Sequence, residues 1–325
     1  MSAVSKSSSK NLHTDGIYQA RKTAEQLKED LQRLGALDKS AEKEIAKWRN
    51  VRRGGCAAMV IGGGAMLVFI LMPGIFGFLP IVFFVVGLTV GIALNVGAAI
   101  NSKAVAKHEF PDYRYLSGLG LVSLLEADTA ADAQMNLLLN LKEKTNPETT
   151  QGCQQKATWK KMVSREPFLT LGGRFQDGTK FDFILAEEIT CSGEYFPYRA
   201  ISGKTKIKLR ARKRVRWTGS LRLRFKEKRY SLDSSQQAEI ESGIQLPEGA
   251  RAKKVLVKDG ELKLSAVTQT QKNKHKAKMT KDIEGAWKAM PIDEENASNL
   301  LSHFSAMMFL SLYQGLNASR SNKQP

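Results

Sequence analysis

Three cysteines and four histidines are all that the 325 residues of this chain contain. Cys56, Cys153 and Cys191 form no C-x-x-C pair and no regular spacing, which excludes a disulfide framework and a cysteine-based zinc site. They fit a reducing compartment as ordinary small residues. His13, His108, His275 and His303 are scattered along the chain. No H-E-x-x-H, G-x-S-x-G or phosphate-loop sequence occurs. Gly118-Leu119-Gly120 lacks both the third glycine and the preceding strand that a dinucleotide fingerprint requires. Glu187 and Glu188 are adjacent carboxylates, but neighbours on a strand point to opposite faces, so they make no catalytic dyad. The sequence therefore offers no catalytic residue, no metal ligand set and no cofactor motif. Its reading is non-enzymatic.

A second absence is local. From Gly54 to Ser102 no charged residue occurs. A soluble core has no need of so long an uncharged run, which reads as membrane. It is too long for one span and is punctuated by Pro73-Gly74, Gly77 and Pro80. Two spans follow, about Gly54 to Met72 and Pro80 to Ile100, each near the ~20 residues a bilayer requires. Lys47, Arg49, Arg52 and Arg53 precede the first span, and Lys103 and Lys107 follow the second. The positive-inside rule then puts both termini in the cytoplasm, at a plasma or inner membrane. Gly54, Ala58 and Gly62 recur every fourth residue, as do Gly87, Gly91 and Asn95. Such stripes let two helices approach closely, within the hairpin or in a homo-oligomer, and Asn95 can hydrogen-bond across the contact. With no ionisable residue inside the spans, a proton relay or transporter site is disfavoured.

What the chain does have is positive charge, a net +18. It is concentrated. Residues 152–270 hold 25 basic and 13 acidic side chains, whereas 103–150 hold five and seven. Between residues 204 and 229, thirteen residues are Lys or Arg and only Glu227 is acidic. The order matters more than the number. Lys204, Lys206, Lys208, Arg210, Arg212, Arg214 and Arg216 occupy successive even positions, as do Arg222, Arg224, Lys226 and Lys228. Ile207, Leu209, Ala211, Val215, Trp217, Leu221, Leu223 and Phe225 occupy odd ones. A strand alternates its side chains between faces, so one face is apolar and the other basic. Thr218-Gly219-Ser220 reads as the loop of a basic hairpin, with Arg216 opposite Arg222, Arg214 opposite Arg224 and Arg212 opposite Lys226. Lys213 and Glu227, on the apolar parity, then lie diagonally as an ion pair. Opposed like charges destabilise a sheet, so such a face calls for water, salt or an anionic partner. Aromatics for base stacking are absent from the basic parity, which disfavours single-stranded nucleic acid.

The remainder divides by period. Residues 1–13 read as a disordered tail. An amphipathic helical arm is expected over 14–53, where Ile17, Ala20, Ala24, Leu27, Leu31 and Leu34 form a heptad seam interrupted at Gly35. It serves either a coiled coil or packing on the chain itself. The transmembrane hairpin fills 54–102, and a linker helix 103–155, with Leu116, Leu119, Val122, Leu125, Met135, Leu138, Leu139 and Leu141 at helical spacing. A basic β-rich domain covers 156–268. Asp177-Gly178 and Asp259-Gly260 mark its turns. A basic linker spans 269–291. A C-terminal amphipathic helix covers 292–318, with Leu300, Leu301, Phe304, Met307, Met308 and Leu312 on one side. The expected class is an α+β membrane protein with a cytosolic antiparallel domain, a small barrel or sandwich. The pleckstrin-homology barrel is one example that the strand count fits.

The functional expectation is a membrane-anchored binding or scaffold protein whose basic hairpin engages anionic lipid headgroups or an acidic protein. An oligomeric membrane effector or pore controlled by the cytosolic domain is the alternative. A membrane anchor for nucleic acid is the third reading.

Overall fold

The computed structural model describes residues 16–71, 79–105, 110–142, 148–154, 157–199, 205–227, 229–230, 232, 234–258, 260–268, 271–275, 290 and 292–319. The expected tail 1–13, the inter-span loop around Pro73 and Gly77, and most of the basic linker 269–291 lie outside these residues. The chain separates into two compact units. One comprises the described residues up to Gln32 and from Pro111 onward, and the other comprises Arg33–Phe110.

The larger unit is mixed α and β, built on one antiparallel sheet. Its main path orders seven strands β1-β2-β4-β5-β6-β8-β7, and β3 and β9 pair off that path with β4 and β6. The strands are β1 (Ile17–Lys22), β2 (Met135–Asn140), β3 (Glu148–Gln154), β4 (Ala157–Arg174), β5 (Lys180–Arg199), β6 (Thr205–Arg224), β7 (Arg251–Lys258), β8 (Glu261–Val267) and β9 (Gln271–His275). Among the described residues there are five α-helices: α1 (Ala24–Leu71), α2 (Leu79–Val105), α3 (Asp112–Glu126), α4 (Gln237–Gly243) and α5 (Glu294–Ala318). The path is open, with β1 at one end and β7 at the other, so the expected barrel or sandwich gives way to a single sheet.

Two segments assigned to helices are strands. Ile17–Lys22 is an edge strand paired with β2, and only from Ala24 does the seam become helical. Thr23 marks the change, because its carbonyl accepts from Leu27 N at 3.0 Å and its hydroxyl lies 3.5 Å from Gln26 N. Ser or Thr followed three residues later by Glu or Gln is the spacing of a helix start. Leu27 and Leu31 are fully buried within the chain, and α1 passes through Gly35 unbroken. Met135, Leu137 and Leu139 are buried while Asn136 and Leu138 are exposed, a period of two across residues expected to continue a helix. A run of adjacent leucines satisfies either period, and β-pairing on both sides decides for the strand.

The basic segment also differs from expectation. Thr218-Gly219-Ser220 does not turn, because β6 runs straight through it for 20 residues and pairs along its whole length with β5. At about 3.3 Å per residue it is some 65 Å long. The hairpin pairs Arg216–Arg222 and Arg214–Arg224 therefore do not form. Lys213 lies opposite Cys191 and donates to the carbonyl of Met290 at 3.3 Å, so it makes no pair with Glu227. Gly219 serves packing instead. A Cβ there would lie 2.5 Å from Met308 Sδ and 2.9 Å from Phe304 Cε1, both on α5. Helix α5 is capped by Asp293, which accepts from Asn296 N at 3.2 Å. It lays Leu301, Phe304, Met308 and Leu312 on the sheet's inner face, all fully buried. Gly219→Ala is expected to lower stability by about 1–3 kcal/mol, the cost of overpacking a close contact. A lower melting temperature by circular dichroism is the readout.

The Asp177-Gly178 turn is present, and of the second expected turn Gly260 is described while Asp259 lies outside the described residues. Gly178 (φ 87°) and Gly260 (φ 69°) adopt the left-handed conformation that glycine tolerates, the first between β4 and β5 and the second between β7 and β8.

In the smaller unit α1 and α2 run antiparallel. Among the described residues one helix is long and apolar enough to cross a membrane, Ile81–Val105, and only 11 % of its most apolar window is buried in the chain. A core helix of a water-soluble protein would be mostly covered. Here Val82, Phe83, Val85, Val86, Val90 and Ile92 are exposed.

Candidate functional site

The sheet has one covered face and one open face. On β6 the odd residues Ala211, Val215, Trp217, Leu221, Leu223 and the following Phe225 are buried, and the even residues lie on the open side. The apolar and basic parities of the sequence are therefore the inner and outer faces of the sheet. β4 reaches the same result by a device that sequence reading missed. Its register shifts between Pro167 and Leu169, so Phe168 and Leu169 are both buried and the inward parity changes from even to odd.

The outward cations divide into two groups according to what β5 and β8 place beside them. Arg216 lies opposite Glu188, which also accepts from Arg165. Partial burial alone would raise the Glu188 carboxyl, but hydrogen bonds and charge from Arg165 and Arg216 hold it below the usual carboxylate range. Arg222 pairs with Glu261, and Arg224 with Asp182. Arg210 lies opposite Glu194. These arginines carry their own counter-charge. Arg212 and Arg214 differ, because both are exposed and their β5 neighbours are Ser192 and Thr190. In register beyond those neighbours lie Lys161 and Val163 on β4, and on the other side Lys274 and Lys272 on β9. Across β4, β5, β6 and β9 these two adjacent rows thus hold five cations and no carboxylate, and the row of Arg214 meets one only at Glu148 on β3, beyond Val163. This patch is the candidate anion-binding surface. Lys226 is exposed just past the end of β6. Lys206 and Lys208 fall on β6 by backbone register only, and Lys204 and Lys228 lie outside the described residues.

Behind the sheet is an arrangement that no sequence signal announced. Arg114, on α3, is completely buried. Its NH2 group contacts Glu187 at 2.7 Å and Glu166 at 3.1 Å. Its NH1 group donates to the carbonyls of Lys142 at 2.7 Å and Asn140 at 3.1 Å, and Nε to the Tyr113 hydroxyl at 3.3 Å. All five guanidinium donors are used. Glu187 is itself buried and accepts from Tyr113 at 2.9 Å and from Trp217 Nε1 at 3.2 Å. Glu166 and Glu187 face each other across β4 and β5, so the guanidinium offsets two opposed carboxylates. Burial alone would lower the Arg114 pKa, but Tyr113 and Glu187 hold it above the ordinary value. Glu188 points to the other side, so the adjacent carboxylates part as strand geometry demands. The cluster is closed by Phe168 and Trp217 and ties α3 to three strands. Its chemistry is structural.

In the helix pair, the structure brings Ala58, Gly62, Gly87, Gly91 and Asn95 together. A Cβ on Gly87 would lie 3.0 Å from Ala58 O and 3.1 Å from Gly62 Cα, and one on Gly91 would lie 2.4 Å from Met59 Cγ. Gly54 does not join them, since nothing lies within 4 Å of its Cβ position. Gly55 takes that role, 3.0 Å from Gly91 O by the same measure. The helix advances 100° per residue, so a four-residue stripe drifts and the adjacent glycine comes into line. Asn95 Nδ2 donates to Gly91 O at 2.8 Å, and its Oδ1 accepts from the Cys56 thiol at 3.7 Å, a contact across the two helices.

No family model, no curated protein and no solved structure matches this chain.

Proposed function

We propose that this chain is a non-enzymatic, membrane-anchored binding protein whose basic sheet face engages the anionic headgroups of a bilayer. The supporting observation is the pair Arg212 and Arg214, exposed between Ser192 and Thr190 on β5 and Lys274 and Lys272 on β9, whereas Arg216, Arg222 and Arg224 on the same strand are neutralised from within. A strand face made only for solubility has no reason to separate its compensated from its uncompensated arginines along β6. The two-span hairpin and cytoplasmic termini belong to this reading. They rest on the uncharged run, on the exposed apolar surface of α2, and on Arg52, Arg53 and Lys103 at its borders. A cytoplasmic domain meets anionic lipid by location, and each basic residue near that surface contributes about 1 kcal/mol.

The test uses the full chain in neutral-lipid nanodiscs, floated with phosphatidylserine vesicles. Arg212→Gln with Arg214→Gln is expected to weaken capture by about 1 kcal/mol for each lost cation, and to leave the remainder less salt-sensitive. Arg216→Gln, which removes a neutralised arginine, should change capture less. Unchanged vesicle capture by the double variant rejects lipid. Loss of capture by a polyglutamate column in the same variant would then assign the patch to an acidic protein.

A further inference from the structure

The turn end of the outer face holds a second arrangement of charge, remote along β6 from Arg212 and Arg214. Arg174, Lys180 and Arg224 stand directly opposite one another on β4, β5 and β6. Adjacent strands lie about 4.8 Å apart, so three cations share one row, which destabilises a sheet unless counter-charge is supplied. Asp182 meets Arg224, while Glu261, opposite Arg224 on β8, turns to Arg222.

The next row inward reads Asn136, Gly172 and Asp182 across β2, β4 and β5. The glycine leaves the floor bare. A Cβ there would lie 3.2 Å from Asp182 Oδ1. The bare floor and the cationic row belong to one cleft of about 720 Å³. Arg21 on β1 and Asp132 in the loop before β2 form its far side. The volume suits a small molecule, for which pockets of roughly 300–1,000 Å³ are usual.

We propose that this cleft binds a phosphorylated polyol, with the phosphate on the Arg174–Lys180–Arg224 row and the hydroxyls on Asp182, Asn136 and Asp132. Guanidinium groups fork onto phosphate oxygens, and the lysine adds a point charge. Ionised carboxylates only accept hydrogen bonds, so Asp132 and the Oδ1 of Asp182, whose Oδ2 takes Arg224, suit a ligand that donates. A bare phosphate satisfies the cations and is repelled by the aspartates. A neutral polyol does the reverse. One molecule carrying both groups matches the whole lining. This inference does not rest on the Arg212–Arg214 patch. The ligand can be a soluble ester or the headgroup of a lipid, since both present the same atoms.

Titration calorimetry on the full chain in detergent micelles, with myo-inositol 1-phosphate, inorganic phosphate and myo-inositol, tests it. Vesicles containing a phosphatidylinositol phosphate supply the lipid-borne form in a flotation arm. The ester should bind more tightly than either half alone. Arg174→Gln with Lys180→Gln, two exposed positions, should weaken it by about tenfold or more, as expected when charge-assisted hydrogen bonds are removed. Gly172→Leu, which fills the floor and leaves the charge unaltered, should do the same. Arg212→Gln with Arg214→Gln should leave ester binding unchanged, which separates this site from the lipid-facing patch. Tighter capture by the vesicles than by the free ester assigns the ligand to a lipid, and the opposite order to a soluble metabolite. Three results each overturn the proposal: no binding of the ester in either form, inorganic phosphate binding as tightly as the ester, or full affinity in the Arg174/Lys180 double variant.

Discussion

Replacing Arg114 with methionine is expected to destabilise the larger unit by about 3–5 kcal/mol, the range for removing one partner of a buried ion pair. Two carboxylates depend on that guanidinium. Glu187 is almost wholly inaccessible, and Glu166 lies opposite it on the next strand. Without Arg114 they become an opposed, poorly hydrated pair of like charges. The carbonyls of Asn140 and Lys142 also lose the donors that hold the end of β2. Chemical denaturation followed by far-ultraviolet circular dichroism measures the loss. Glu187→Gln should cost less, because the amide still accepts from Tyr113 and Trp217. Arg114→Met combined with Glu187→Met should also cost less than the sum of the single changes, since residues in one network are not additive. An additive result would show that Arg114 stabilises by packing alone.

Trp217→Ala should cost a comparable amount, about 3–5 kcal/mol for emptying a core tryptophan site. The indole is fully buried, stands edge-on to Tyr113 at 6.2 Å between ring centroids, and donates to Glu187. Trp217→Phe separates these contributions. It retains most of the volume and loses the hydrogen bond, so the cost should fall to about 1–3 kcal/mol, the range for one hydrogen bond to a charged acceptor that Tyr113 and Arg114 still satisfy. Neither change touches the outer face. Capture of phosphatidylserine vesicles by folded Trp217→Phe should therefore match the wild type. Arg212→Gln with Arg214→Gln should behave in the opposite way, with vesicle capture reduced and the melt little altered. The like charges directly opposite these arginines are Lys274 and Lys272 on β9, not Lys226 and Arg224. The hairpin that opposed them does not exist, and their neighbours on β5 are Ser192 and Thr190.

The loop at Thr218-Gly219-Ser220 shows where one-dimensional reading ends. An odd loop and a continuous strand leave residues 216 and 222 on the same parity, so alternation alone cannot distinguish them. Gly219 looked like a turn residue because glycine permits turns. Its actual role, close approach of α5, depends on Phe304 and Met308, some 85 residues away in sequence. Likewise Ile17, Ala20 and Ala24 fit a heptad, yet Ile17–Lys22 joins the sheet because β2 offers an edge to pair with.

Arg114 was invisible for a related reason. A lone arginine in a helix carries no periodic signal, and its burial requires carboxylates from two other strands. The division of the basic face was equally hidden. Which arginines are neutralised depends on whether Glu188, Asp182 and Glu261 arrive beside them, and strand register sets that.

By itself the sequence determined the properties that arise from local period and composition. The two faces of β6 follow from a repeat of two, the DG turns from backbone conformations open to glycine, the apolar face of α5 from helical spacing, and the apolar surface of α2 from an uncharged run. The tertiary structure alone decided the properties that require two distant segments to meet: strand against hairpin, edge strand against helix, buried Arg114 against an exposed one, and paired against unpartnered rows of charge. Local period sets which way a side chain points. Only the neighbouring strand or helix, brought there by the fold as a whole, sets what it meets.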